Sequence, residues 1–190
     1  MDEFTQPSDA PVAMRLPTPV RLCYLRPWIP ADKADLVRNA NNRRVWRNLT
    51  GMFPHPYTEA DADRWIALAG KPGRDLHLAI EFNERAVGGI GAIAGRDVAQ
   101  QTGYFGYWLG QDFWGNGLAT AAATAFVQHV VRHRLFTRLE AAVFEWNPAS
   151  MRVLEKVGFQ REGILKKSVT KDGLLIDSVM YACVLSADRS

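Results

Sequence analysis

The chain is poor in cysteine, in long apolar runs and in charge of one sign, and each shortage removes a class of protein. Two cysteines in 190 residues, Cys23 and Cys183, stand far apart in segments that read as strands. That is too few for a disulfide-stapled secreted fold or a thiolate metal site, so free buried thiols in a reducing compartment, the cytoplasm, are expected. The longest nearly apolar run, Leu118 to Val127, is ten residues, against the roughly 20 that a bilayer-spanning helix needs. No membrane partner is expected. The formal charge is only +3 and its cations come as doublets, Arg43-Arg44 and Lys166-Lys167. A dense basic run with interleaved aromatics is missing, so direct nucleic-acid binding is not expected either. Residues 1–19 are polar and proline-bearing without an apolar core, which argues against a signal peptide and predicts a mobile leader. Internal repeats and low-complexity tracts are absent.

What is present is an ordinary soluble composition, 47% hydrophobic and 23% charged, read as one domain over residues 20–187. Val20 to Leu25 reads as a first strand, stopped by Pro27 and Pro30. Asp32 then caps a helix expected to run to about Leu49. The stretch Gly51 to Tyr57 is too proline-rich to be regular, and its Phe53 and Tyr57 suit a packed connection or a substrate wall equally. Thr58 with Asp61 three residues on forms a capping-box start for a helix whose Ala62, Trp65, Ile66 and Ala69 share one face. Leu76 to Phe82 alternates as a half-buried strand, followed by strands over Ala86 to Ala94 and Thr102 to Gly110. Gly89 to Ala94 matches the dinucleotide pattern G-x-G-x-x-A, but that pattern must open a helix, and the surrounding glycines leave no room for one. His129 and His133, four apart on a helix that starts at Leu118, have a metal-ligand spacing without a third ligand, so no metal is expected.

The organising stretch is Tyr107 to Thr120, where an apolar strand breaks into Gly115-Asn116-Gly117 and an alanine-rich helix begins at once. A helix start exposes unpaired N–H groups and a partial positive charge, and glycines let a phosphate approach them closely. A strand over Arg138 to Phe144 follows, and strand, crossover helix, strand implies a parallel pair. Asn147 as N-cap, Pro148 at the first helical position and Gly158 beyond the end define a further helix. Strands over Arg161 to Thr170 and Leu174 to Leu185, joined by Lys171-Asp172-Gly173, close the chain.

Three motifs in this order resemble the GNAT superfamily of N-acetyltransferases, and within it the RimJ/RimL-like branch of ribosomal-protein acetyltransferases. They are Leu25-Arg26-Pro27-Trp28, then Tyr107-Trp108-Leu109 with Phe113-Trp114-Gly115-Asn116-Gly117-Leu118-Ala119-Thr120, then Asn147 to Phe159. The resemblance implies an α+β fold, a mixed and mostly antiparallel twisted sheet of about six to seven strands with helices on both faces. It implies acetyl-coenzyme A between the fourth and fifth strands, its pyrophosphate on the N–H groups from Trp114 to Ala119, with Thr120 adding a hydroxyl contact. Its amide arm would follow the backbone of Tyr107, Trp108 and Leu109, and Asn147 and Ser150 would face the pantetheine and the thiol. The reaction implied is direct attack of an amine on the thioester, with Ser150 as proton donor to the thiolate and a backbone N–H near Leu109 on the carbonyl oxygen. The acceptor would be a protein N-terminus, possibly ribosomal, or a small-molecule amine, and the protein a monomer or homodimer. Departures from the branch are Asp112 where relatives often carry Gln or Arg, Tyr104 where they often carry Glu, and Ala121 where another Glu is common. They leave the general base open among Glu81, Glu145, His77, Tyr104 and a water relay. They also keep alive a catalytically weak acyl-coenzyme A-binding protein, a sensor or assembly partner, as the alternative.

Overall fold

The structure is a computed structural model that describes residues 15–185, so residues 1–14 of the expected leader lie outside the described residues. Within it, Leu16–Pro17 forms a short strand, β1, paired antiparallel with β2 at Cys23–Pro27. Leu16 is buried in the main core, and Pro17, which has no N–H to give, sits where a sheet tolerates it, on the rim strand. This strand makes the sheet eight-stranded where six or seven strands were expected; the order is β1-β2-β3-β4-β5-β6-β8-β7. The others are β3 Leu76–Phe82, β4 Arg85–Ala94, β5 Thr102–Leu109, β6 Arg138–Phe144, β7 Gln160–Lys171 and β8 Leu174–Val184. All neighbours are antiparallel except β5 and β6. The segment matching G-x-G-x-x-A lies inside β4, as strand.

The expected helix from Asp32 to Leu49 is broken in two, α1 Lys33–Ala40 and α2 Arg43–Trp46. The cause is Asn42, whose Oδ1 accepts from the N–H groups of Arg44 at 2.8 Å and Val45 at 3.4 Å and so starts a new helix where the periodicity alone continues the old one. The capping box at Thr58 forms as the spacing requires, with Thr58 N–H on Asp61 Oδ2 at 2.8 Å and Asp61 N–H on Thr58 Oγ1 at 3.3 Å, opening α3 at Glu59–Ala69. α4 spans Leu118–Arg132, and α5 spans Pro148–Val157, ended by Gly158 at φ +100°.

Strand alternation divides the interior between the two sheet faces. Leu78 and Ile80 join the core that α4 and α5 cover through Leu118, Ala122, Phe126, Val130 and Leu154. Ala79, between them, joins a second core under Leu36 and Ala40 of α1, Ala62 of α3, and Trp28 and Tyr57. Helices therefore lie on both faces. At the β2 end, Arg26 reaches Asp32 through two bonds of 2.7 Å and also pairs with Glu81, both carboxylates being buried. These contacts hold the Arg26 guanidinium far above its ordinary pKa. Replacing Arg26 by methionine leaves two buried carboxylates without their shared cation, and should lower stability by about 3–5 kcal/mol. Urea unfolding monitored by circular dichroism measures this, with Arg26→Lys expected to fall between the two because it keeps the charge and loses the fork.

Candidate active site

The parallel pair at the centre of the sheet is joined for only three residues, Thr102 with Arg138, Gly103 with Leu139 and Tyr104 with Glu140. Beyond them β5 stays with β4 as far as Leu109, and β6 stays with β8 as far as Phe144, so the two inner edges part. Gly110 N–H is bonded to Val87 O at 2.8 Å on the β4 side. With the two-residue alternation of a ladder, Tyr107 and Leu109 therefore turn their own peptide groups into the gap. A cavity of about 1110 Å³ passes through this gap, walled on one sheet face by Tyr107, Ala119, Asn147 and Ser150 and on the other by Phe53, Tyr57, Trp65, His77 and Tyr104.

At one mouth stands the glycine turn. Gly115 and Gly117 have φ of +78° and +75°, and a Cβ on either would meet nothing within 4 Å, so the approach to their N–H groups is open. Gly117 caps α4 without any side-chain bond to the first turn, which leaves those N–H groups bare. The turn is tied to the sheet by Trp114, whose Nε1–H donates to Leu109 O at 2.9 Å. At the throat, Asn147 Oδ1 accepts from Ser150 N–H at 3.2 Å and fixes the start of α5, and Ser150 Oγ lies 2.8 Å from Tyr107 OH. This contact joins α5 to β5 across the gap. Burial pushes the Tyr107 hydroxyl above its ordinary pKa, against the opposing effect of its bond to Ser150, so it stays protonated at neutral pH.

Of the residues singled out from the sequence, Tyr104, Tyr107, Trp108, Leu109, Trp114, Gly115, Ala119, Asn147 and Ser150 line the cavity. Asn116, Gly117, Leu118 and Thr120 are not in its wall. Leu118 is 1% exposed in the main core, and the Thr120 carbonyl accepts from Thr124 Oγ1 at 2.9 Å. Glu145 lies outside as well, its carboxylate accepting from Asp177 N–H at 3.2 Å. Glu81 is held by Arg26 and Arg15 away from the cavity, which removes it as a base. His77 is in the wall, edge-on to Trp65 at 5.1 Å, and burial lowers its pKa so that the ring is neutral at pH 7. Two charged wall residues that sequence reasoning did not single out for the site bear on its chemistry. Glu140 accepts from Arg138 Nε at 2.8 Å, and Lys171 stands at the hairpin tip. The strand period could have placed Glu140 beside Tyr104; no local signal marks Lys171.

A mixed sheet opened at its one parallel pair, with a bare helix start at the mouth and a hydroxyl pair at the throat, defines an α/β protein built to take an extended ligand edge-on. The chain belongs to the family described as the acetyltransferase (GNAT) domain, whose pattern matches residues 21–160. It is 34% identical over 160 residues to the [ribosomal protein uS5]-alanine N-acetyltransferase of Escherichia coli (strain K12), covering 84% of this chain and 74% of that one. It spans only 58%, 65% and 55% of the length of three Bacillus relatives that carry the name N-acetyltransferase, YjcK, p20 and YoaA. Among solved structures, RimJ of Mycobacterium smegmatis in complex with CoA-disulfide is 27% identical with a TM-score of 0.76, covering 90% of this chain and 86% of that one. RimL, a ribosomal L7/L12 α-N-protein acetyltransferase in complex with coenzyme A, shares the fold at a TM-score of 0.81 and 21% identity, over 92% of this chain and 100% of that one.

The site glycines are held for different reasons, and stability measurements should separate them. Gly117→Ala should cost about 1–2 kcal/mol, all of it backbone, because the space is open and φ is left-handed. Gly91→Ala in β4 should cost more, since its Cβ would stand 2.2 Å from Leu76 O. Equal losses in chemical denaturation would contradict this ordering.

Proposed function

We propose that the protein is an acetyl-coenzyme A dependent N-acetyltransferase that acts directly on an amine. The observation that carries this reading is the Tyr107 and Ser150 hydroxyl pair, 2.8 Å apart at the throat between β5 and β6. The groups present fit the coenzyme: bare α4 N–H groups behind open glycines suit a pyrophosphate, and the peptide groups of Tyr107, turned into the gap, suit the amides of an extended arm. When bound, the coenzyme supplies an activated acetyl thioester. Ser150 Oγ–H would give its proton to a departing sulfur and recover one through Tyr107 OH, which in turn is reprotonated from solvent. The Leu109 N–H, facing the gap, is the donor for a developing oxyanion. In the cavity wall the neutral His77 imidazole can take the amine proton, directly or through water, and the Tyr104 hydroxyl can relay it.

The relatives named above support a protein N-terminus, ribosomal ones included, as one acceptor class, and small-molecule amines as the other. Cys23 and Cys183 are both free, which suits action in the reducing cytoplasm. A second reading, a weakly catalytic acyl-coenzyme A-binding protein, is favoured by one observation: both carboxylates in the cavity wall, Asp61 and Glu140, are engaged by arginines, Arg64 and Arg138.

Acetyl-coenzyme A at a hundred times its Kd should stabilise the fold by about 2.7 kcal/mol, read as a rise in Tm. No shift at millimolar ligand would sink both readings. Ser150→Ala should leave stability within about 1 kcal/mol, because Asn147 still caps α5, while kcat falls roughly ten- to a thousandfold with coenzyme Kd nearly unchanged. Unchanged kcat, with chemistry shown to limit the rate, would return Ser150 to a structural role.

A further inference from the structure

The cavity extends past the throat to the tip of the β7–β8 hairpin, where Lys171 forms part of its wall. Lys171 is 5% exposed, and its Nζ is sealed from water with no hydrogen-bond partner among the described residues. Its compensation is the face of Trp46, whose ring centroid is 3.7 Å from Nζ. The neighbouring Asp172 does not serve it, because that carboxylate is shared by Arg43 at 2.7 Å and Arg47 at 3.7 Å. Three cations thus surround one carboxylate at this end. Arg64, the other cation in the wall, is bonded to Asp61. A buried ammonium with its donors unmade is costly, and the group that relieves the cost is an anion entering from the cavity.

The register fixes how far away this is. Ser178 faces Phe144, the last residue of β6, and Leu174 faces Lys171. The four residue steps from Ser178 to Leu174, at about 3.3 Å each, carry Lys171 roughly 13 Å past the end of β6 along the strand direction, with β8 lying between the two strands. That is the reach of about four extended residues. The cavity wall also carries Phe53, Tyr57, Trp65 and Trp108, which suit apolar side chains, and its two carboxylates, Asp61 and Glu140, are already paired with Arg64 and Arg138, so a polycation finds none free.

We propose that Lys171 receives a carboxylate carried by the acceptor, so that the preferred acceptor is a peptide amine with an acidic side chain within the first few residues. This rests on the transferase reading for its chemistry, but not for its test. Polyamines and aminoglycosides, whose charge Lys171 and its arginine neighbours repel, are poor acceptors.

The test uses tetrapeptide amides beginning with alanine, with Asp or Asn at the second, third or fourth place. Their binding to coenzyme A-loaded protein is measured by calorimetry, and thiol release by initial rates with acetyl-coenzyme A. At one position the Asp peptide should bind about ten- to a hundredfold tighter than its Asn twin. Lys171→Met should erase that difference without changing coenzyme Kd or the Asn peptide's Kd, and Lys171→Arg should keep part of it. Equal binding of Asp and Asn at every position, or tighter binding of spermidine, overturns the proposal. So does a Lys171-dependent gain confined to 4-aminobutyrate over its amide, which would make the acceptor a small acid. If Lys171→Met does not fold, the wild-type comparison with Lys171→Gln decides. Charge-selective binding without thiol release would overturn the transferase reading and leave Lys171 its role; thiol release without selectivity would do the reverse.

Discussion

Everything at this site depends on unpaired peptide groups in the middle of a sheet. A strand edge normally finds a partner or the rim, because a buried N–H or C=O left unmade costs as much as a lost hydrogen bond. Here the inner edges of β5 beyond Tyr104 and of β6 beyond Glu140 have no partner strand, yet both strands lie inside an eight-stranded sheet. The gap persists because each wall belongs to a separate ladder. β5 is carried by β4 as far as Leu109, and β6 by β8 as far as Phe144. The buried helix α4, with Phe126 and Val130 fully enclosed, covers that face of the sheet and resists collapse. A ligand with amides along its length could complete the sheet there, since the edge of β5 offers it the spacing of a strand.

The electrostatics of the gap are set by what has already been neutralised. Arg138 binds both Glu140 and Glu162, so its charge is held on and the carboxylate next to Tyr104 is committed to structure. Arg26 does the same for Glu81 and Asp32. What remains in the throat is neutral and protic, a phenol held protonated by burial and a serine hydroxyl bonded to it. Such a pair can pass a proton to an anion that appears between them, and it offers little to a cation. On the opposite face of the sheet the cavity wall carries His77, an imidazole kept neutral by burial. The hydroxyl pair and the imidazole thus stand on opposite faces, with the gap between them.

Local chemistry was legible and long-range pairing was not. The Thr58 capping box, the Asn147-Pro148 start, the Gly158 stop and the glycine turn before α4 all follow from residues within a few positions of one another, and the parallel relation of β5 to β6 follows from the order strand, helix, strand. The break at Asn42 was legible in principle, since Asn41-Asn42 offers a cap, but the apolar period runs through it. Strand β1 was hidden because two residues are too few for any period to show, and Leu16 and Pro17 are strand only through their pairing with Leu25 and Tyr24. Glu81 and Glu145 looked available as bases because sequence says nothing about which carboxylate already has a partner. One is taken by Arg26, 55 positions away, and the other by a backbone N–H, 32 positions away. Lys171 was invisible for the same reason in reverse, since its significance is a missing partner.

The glycines of β4 and β5 show how far packing accounts for this sequence and where function takes over. Glycine weakens a strand by backbone entropy, so five of them in two adjacent strands require a cause. At Gly88 a Cβ would strike Trp108 O at 2.2 Å, at Gly89 the Trp108 and Trp28 rings at 2.9 Å and 3.2 Å, and at Gly91 the Leu76 carbonyl at 2.2 Å. At Gly103 it would strike Leu139 and Phe136, both at 2.9 Å. These four are demanded by neighbours. Gly106 is different: its φ is ordinary and a Cβ there would meet nothing within 4 Å, so neither packing nor backbone conformation calls for glycine. It pairs with Gly91, sits next to Tyr107, and lines the cavity on the face opposite Ser150. A side chain at Gly106 would fill part of the cavity on that face and narrow the way to the throat. The missing side chain therefore keeps open a space that neither the core nor the backbone needs, and the cause of this glycine lies in the cavity and not in the packing of the sheet.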